Sequence, residues 1–86
     1  MIDLDTVLKA QDGETAALQA MIDAGQWSLE GSMGRAMMAA IDDGRCVLGP
    51  NPAHDYWGNR IPSRFEVKPG TKGSVEYAAR MQEANS

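Results

Sequence analysis

Apolar residues recur at helical spacing through the first half of the chain and then lose that rhythm. Leu4, Val7 and Leu8 fall at i, i+3 and i+4, which predicts a short amphipathic helix over about residues 3–11, released at Asp12-Gly13. Glu14 opens a second helix, in which Leu18, Met21 and Ile22 share a stripe and Gly25 supplies a left-handed C-cap. The third predicted helix carries the longest stripe. Leu29, Met33, Ala36, Met37, Ala40 and Ile41 occupy one face at 3.6-residue spacing, and Gly44 ends it. Ser28 is placed to cap its start, with Glu30 favourable to the dipole in the first turn. A capping box is incomplete, because Gly31 stands where Glu or Gln would reach back.

The second and third helices echo one another. Ala17-Leu-Gln-Ala-Met-Ile-Asp-Ala-Gly25 returns nineteen residues later as Ala36-Met-Met-Ala-Ala-Ile-Asp-Asp-Gly44, which predicts an antiparallel helix pair. Two copies are too few for a repeat array. Gly31, Ser32 and Gly34 lie on the early turns of the third helix and predict a close backbone approach there. Each such glycine costs a helix about 1 kcal/mol relative to alanine, so a packing or binding reason is expected. Met38 follows the core position Met37 and so points about 100° away from the buried stripe.

Beyond Gly44 the texture changes to Pro50, Pro52, Pro62 and Pro69 interleaved with glycines. Cys46-Val-Leu48 and Phe65-Glu-Val67 read as short extended pieces. Tyr56-Trp57-Gly58-Asn59-Arg60-Ile61 places Gly-Asn between aromatic and aliphatic flanks and predicts a hairpin with a type I′ or II′ turn. Pro69-Gly70 is a turn pair. Ser74 then caps a last helix, with Val75, Ala78, Ala79 and Gln82 on one face and Tyr77 and Met81 beside it. The fold class is therefore mainly α. One small domain spans residues 1–86, with an acidic helical part (1–44), a hairpin and loop part (45–73) and a C-terminal helix (74–84).

Composition narrows the chemistry. A chain of 86 residues hides only about 60% of its unfolded surface and builds a thin core. Cys46, alone, excludes an internal disulfide, and one His with one Cys cannot supply a zinc ligand set. Neither a metal nor a cofactor is expected. A single thiol without a signal-peptide pattern predicts a reducing, cytoplasmic setting. Apolar runs fall far short of the ~20 residues that cross a bilayer, so no membrane partner is expected. The net charge of −4 divides unevenly. Residues 1–44 carry eight acids against Lys9 and Arg35, whereas residues 45–86 carry Arg45, Arg60, Arg64, Lys68, Lys72 and Arg80 against four acids. Either the halves attract each other, or each is a face offered to a partner.

Four chemistries compete for these residues. Phe65 to Val75 runs strand, glycine-rich turn, helix start, so Lys68, Lys72 and Ser74 are candidate anion or phosphate contacts. The Walker order is absent, however, and a turn with an N-cap accounts for every residue. Cys46 with His54-Asp55 suggests a thiol nucleophile, but a proline-rich loop lacks the rigid support that catalysis needs, so no enzymatic activity is expected. A helix-turn-helix over residues 14–43 would present Met, Ala and acids to the phosphate field and fails. Nucleic-acid binding through Arg60, Arg64, Lys68 and Lys72, with Tyr56 and Trp57 stacking on bases, is the alternative function. Protein recognition has broader support. Tyr56, Trp57, Arg60 and Arg64 sit close together on a shaped loop, Met38 adds an adaptable contact, and Trp, Tyr, Arg and Met are enriched at interface cores. Trp57 is equally able to serve as the main core anchor.

Glu30-Gly-Ser-Met-Gly-Arg-Ala-Met-Met-Ala-Ala-Ile-Asp-Asp-Gly44 and Asp55-Tyr-Trp-Gly-Asn-Arg-Ile-Pro-Ser-Arg-Phe-Glu-Val-Lys-Pro-Gly-Thr-Lys-Gly-Ser74 resemble small accessory proteins encoded by tailed bacteriophages, a likeness covering about residues 26–80. It carries over no catalytic residue. It implies an accessory role in infection, through binding and modulating or inhibiting a host protein, or binding a phage component, in the host cytoplasm.

Overall fold

Three left-handed glycines stop three successive helices, and this punctuation lays out the first half of the molecule. The computed structural model describes residues 3–27 and 31–84, so the expected Ser28 cap, with Leu29 and Glu30, lies outside the described residues. Helices α1 (Leu4–Gln11), α2 (Thr15–Asp23) and α3 (Gly31–Asp42) precede a ladder of strands β1 (Ala53–His54) and β2 (Arg60–Ile61), and α4 (Val75–Ala84) closes the order. Among the described residues the fold is mainly α, as the periodicity predicts.

Gly13, Gly25 and Gly44 each adopt φ between 72° and 83°. At each, two amides turn back onto the last helical carbonyls: Gly13 to Ala10 and Glu14 to Lys9, Gly25 to Ile22 and Gln26 to Met21, Gly44 to Ile41 and Arg45 to Ala40. This is the Schellman arrangement, which needs a residue without a Cβ penalty in the left-handed region. The start of α1 is held by the Asp3 side chain, which accepts from the Thr6 amide at 2.9 Å.

The echo between α2 and α3 has a structural meaning. Leu18 and Met37, Met21 and Ala40, and Ile22 and Ile41 are equivalent positions, and all six are buried in one core with Trp27, Met33, Cys46, Leu48 and Ile61. The predicted stripe of α1 fares differently. Leu4 is 73% exposed and Leu8 51%, while Ala10 is fully buried and Val7 partly so. The helix turns the face of Val7 and Ala10 (i, i+3) inward, and Leu4 and Leu8 (i, i+4) lie rotated round the axis toward solvent.

The irregular half is fastened to the helices by polar clamps. The side-chain amide of Gln19 donates to the Val47 carbonyl (3.0 Å), and its carbonyl accepts from the Val47 amide (2.8 Å). Leu48 donates to the Gly73 carbonyl, and Arg64 donates through its amide to the Gly49 carbonyl. Cys46 to Leu48 and Phe65 to Val67 are therefore not strands, contrary to expectation. Their backbone groups find side-chain and turn partners rather than a neighbouring strand. At the C-terminal end Gln82 donates to the Gly44 carbonyl and the Tyr77 hydroxyl to the Asp42 carbonyl, which seats α4 against the end of α3. The buried residue of α4 is Ala78, and Val75 and Ala79 face solvent instead of sharing the predicted inward face. No helix among the described residues is long and apolar enough to cross a membrane.

Candidate protein-binding groove

The hairpin exists, but its turn is centred on Tyr56-Trp57, immediately before the Gly58-Asn59 pair that predicts it. Ala53 pairs with Ile61 and His54 with Arg60. The reversal occupies Asp55 to Gly58, where the Gly58 amide donates to the Asp55 carbonyl at 3.0 Å. Tyr56 and Trp57 keep negative φ and only Gly58 is left-handed, at +82°. That combination is a type I turn followed by a glycine bulge, with the Asp55 amide bonding the Asn59 carbonyl, rather than a type I′ or II′ turn. Aspartate decides the choice. One Asp55 carboxylate oxygen accepts from the Trp57 amide (2.9 Å) and the Asn59 amide (2.8 Å), and the other from the Asn59 side chain (3.3 Å). Partial desolvation pushes the pKa of this carboxyl up, yet the bonds from Asn59 and Trp57 outweigh it and hold it below the usual carboxylate range. Pro52 and Pro62 bracket the ladder and keep each strand to two residues.

The consequence is that two rings stand at the tip. Tyr56 is 64% exposed and Trp57 70%. They meet edge to face, with centroids 5.4 Å apart and planes at 77°. Trp57 is therefore not the core anchor; that place belongs to Trp27, which is 4% exposed. Between the tip and α3 lies a groove of about 190 Å³, predominantly apolar, lined by Trp27, Gly34, Arg35, Met38, Asp55, Tyr56, Trp57 and Ile61. The structure thus brings Met38 beside Tyr56 and Trp57, residues about twenty positions apart in the chain.

Gly34 forms an open part of the wall. A Cβ placed there would meet none of the described residues within 4 Å, so the expected close backbone approach at this glycine is absent among them. What faces it is the space of the groove. Arg35 follows on the rim, exposed, and makes no ion pair among the described residues. Sequence reasoning missed Gly34 as a groove residue and Arg35 altogether, because both depend on where the hairpin lands.

The other candidates are placed elsewhere. Arg60 lies on the opposite side of the ladder from Ile61, as alternation requires, and bonds Glu66 at 2.6 Å. Arg64 is partly buried and acts as a clamp. Its Nε donates to the Leu48 carbonyl (2.7 Å) and its guanidinium pairs with Asp23 (2.6 Å). Ser74 is 2% exposed and fully employed: its hydroxyl donates to Thr71 and accepts from the Gly70 and Tyr77 amides. The phosphate cradle is therefore an N-cap with a closed turn, and Ser74 has no capacity left for an anion. Lys72 pairs with Asp42 at 3.7 Å, while Lys68 joins no ion pair among the described residues. Arg64 to Asp23 and Lys72 to Asp42 tie the basic half to the acidic half, the self-attraction reading of the charge asymmetry. Cys46 is buried, its thiol donates to the Thr15 carbonyl, and burial pushes it above the usual thiol range, the opposite of an activated nucleophile. Among the described residues no group of His, Cys, Asp and Glu is arranged to hold a metal ion. Compared with known proteins, the chain matches no family model, no curated protein and no solved structure.

Proposed function

We propose that this chain is a non-enzymatic protein-binding accessory domain that seats an apolar side chain of its partner between the hairpin tip and α3. One observation carries the reading. Gly34 sits inside a helix, where glycine costs about 1 kcal/mol, yet no described residue within 4 Å requires its small size. The space it leaves is the groove, walled by Trp57 and Tyr56, residue types enriched at binding hot spots, and by Met38, a type enriched at interfaces. Exposed rings in a concave apolar site are also poor in the groups that make and break bonds. In its finer form the proposal is a phage-encoded modulator or inhibitor of a host protein, acting in the host cytoplasm.

The nucleic-acid alternative draws on the basic half, but Arg45, Arg60, Arg64 and Lys72 are each engaged by a carboxylate of the same chain. Of the basic half, Lys68 and Arg80 make no ion pair among the described residues, so most of its positive charge is compensated within the chain, which weighs toward a protein partner.

Gly34→Leu tests the proposal, because it fills the groove from a helix position where leucine is favoured. Tagged wild-type and variant proteins are incubated with host lysate, and captured proteins are identified by mass spectrometry. A partner held by the wild type and lost by both Gly34→Leu and Trp57→Ala, with circular dichroism unchanged, is the expected result. Equal capture by Gly34→Leu overturns it. A complex whose affinity falls linearly with the logarithm of salt concentration points instead to phosphate contacts.

A further inference from the structure

We infer that the groove selects a partner segment carrying one ring-sized apolar side chain next to a carboxylate, the apolar group held between Trp57 and Met38 and the carboxylate by Arg35. The inference deepens the protein-binding reading above and rests on it. Size sets the first half. A cavity of about 150 Å³ accommodates benzene, and the groove measures about 190 Å³. One phenylalanine or leucine side chain fills it, whereas a helix face with several anchors does not.

Charge sets the second half. Among the described residues two ionic groups line the groove, Arg35 on the helix wall and Asp55 on the hairpin wall. Both oxygens of Asp55 already accept bonds from Trp57 and Asn59 and are drawn into the turn. Arg35 has no such engagement among the described residues. Its guanidinium is a planar fork of donors that matches a carboxylate in two parallel bonds. Arg35 also follows Gly34 directly, so an anchor entering the space beside the glycine carries its neighbouring residue to the rim where the fork stands.

The experiment uses two short acetylated and amidated peptides, one with a single phenylalanine flanked by glutamates and one with lysines in those places. Binding is followed by the amide signal of Gly34 and the indole N–H signal of Trp57 in two-dimensional NMR. The glutamate peptide is expected to bind wild type about three- to tenfold tighter than the lysine peptide, the size of an exposed charge swap. Arg35→Glu is expected to invert that order, and Gly34→Leu to abolish both shifts. Equal affinities, a preference that survives Arg35→Glu, or tighter binding of a thymidine oligonucleotide at the same signals overturns the inference. If neither peptide binds while lysate capture still depends on Gly34 and Trp57, this selectivity falls and the docking reading stands. If capture ignores Gly34→Leu, the docking reading itself falls.

Discussion

The two tryptophans should behave as opposites, and the contrast can be worked from their exposure. A tryptophan carries up to about 250 Å² of surface. Trp27 leaves 4% of its surface in water, whereas Trp57 leaves 70%. At about 25 cal/mol per Å² the withdrawn area is worth at most about 6 kcal/mol at Trp27 and about 2 kcal/mol at Trp57. Truncation to alanine is therefore expected to cost about 3–5 kcal/mol at Trp27, and about 1–2 kcal/mol at Trp57 including the ring contact with Tyr56. A domain of this length has roughly 4–13 kcal/mol in total, so Trp27→Ala removes much of its stability and Trp57→Ala leaves a folded protein. Guanidinium denaturation followed by circular dichroism reads both. Trp27→Phe and Trp57→Phe then isolate one fluorophore each. Emission from Trp57 should be red-shifted and readily quenched by iodide, and emission from Trp27 blue-shifted and protected. Equal quenching, or a midpoint loss in Trp57→Ala as large as in Trp27→Ala, would refute the assignment of core and tip.

Three further outcomes follow from local geometry. At Gly49 a Cβ would lie 2.7 Å from the Ile22 carbonyl oxygen, backbone that cannot step aside, so Gly49→Ala should cost about 1–3 kcal/mol in chemical denaturation. Gly34→Ala meets no described residue and should raise stability by up to about 1 kcal/mol; similar effects at the two sites would contradict the packing described. Ser74→Ala leaves the Gly70 and Tyr77 amides without their acceptor and should cost about 2 kcal/mol, read as a lower melting temperature and faster exchange of those amides. Acid should also weaken the fold. The carboxyls of Asp3 (bonded by Thr6), Asp55 and Glu66 (bonded by the Ser63 amide and Arg60) are all held below their ordinary values. A depressed folded pKa contributes stability fully above the unfolded value of about 4 and loses it as pH falls through the folded value. Denaturation midpoints should drop in that acid range and drop less in Glu66→Gln, whereas an unchanged acid profile in that variant would count against the Arg60–Glu66–Ser63 arrangement.

Some of this molecule is written in its one-dimensional order. Helix stops at Gly13, Gly25 and Gly44, the serine cap of α4 and the equivalence of the α2 and α3 stripes are local matters. Each is settled by residue spacing within a turn or two and by the left-handed freedom of glycine. Even the exposed direction of Met38 follows from its place beside Met37. Other features needed the assembled chain. The hairpin turn moved because Asp55 can satisfy amides at positions 57 and 59, an alternative that the Gly58-Asn59 pair concealed. Arg64 became a clamp once Leu48 and Asp23 arrived within reach, and Leu4 stayed outside because α1 packs through the face of Val7 and Ala10. The groove belongs wholly to this second class. Trp27, Gly34, Met38 and Trp57 come from a loop, one helix and a hairpin tip, and their convergence depends on long-range packing that no periodicity along the chain encodes.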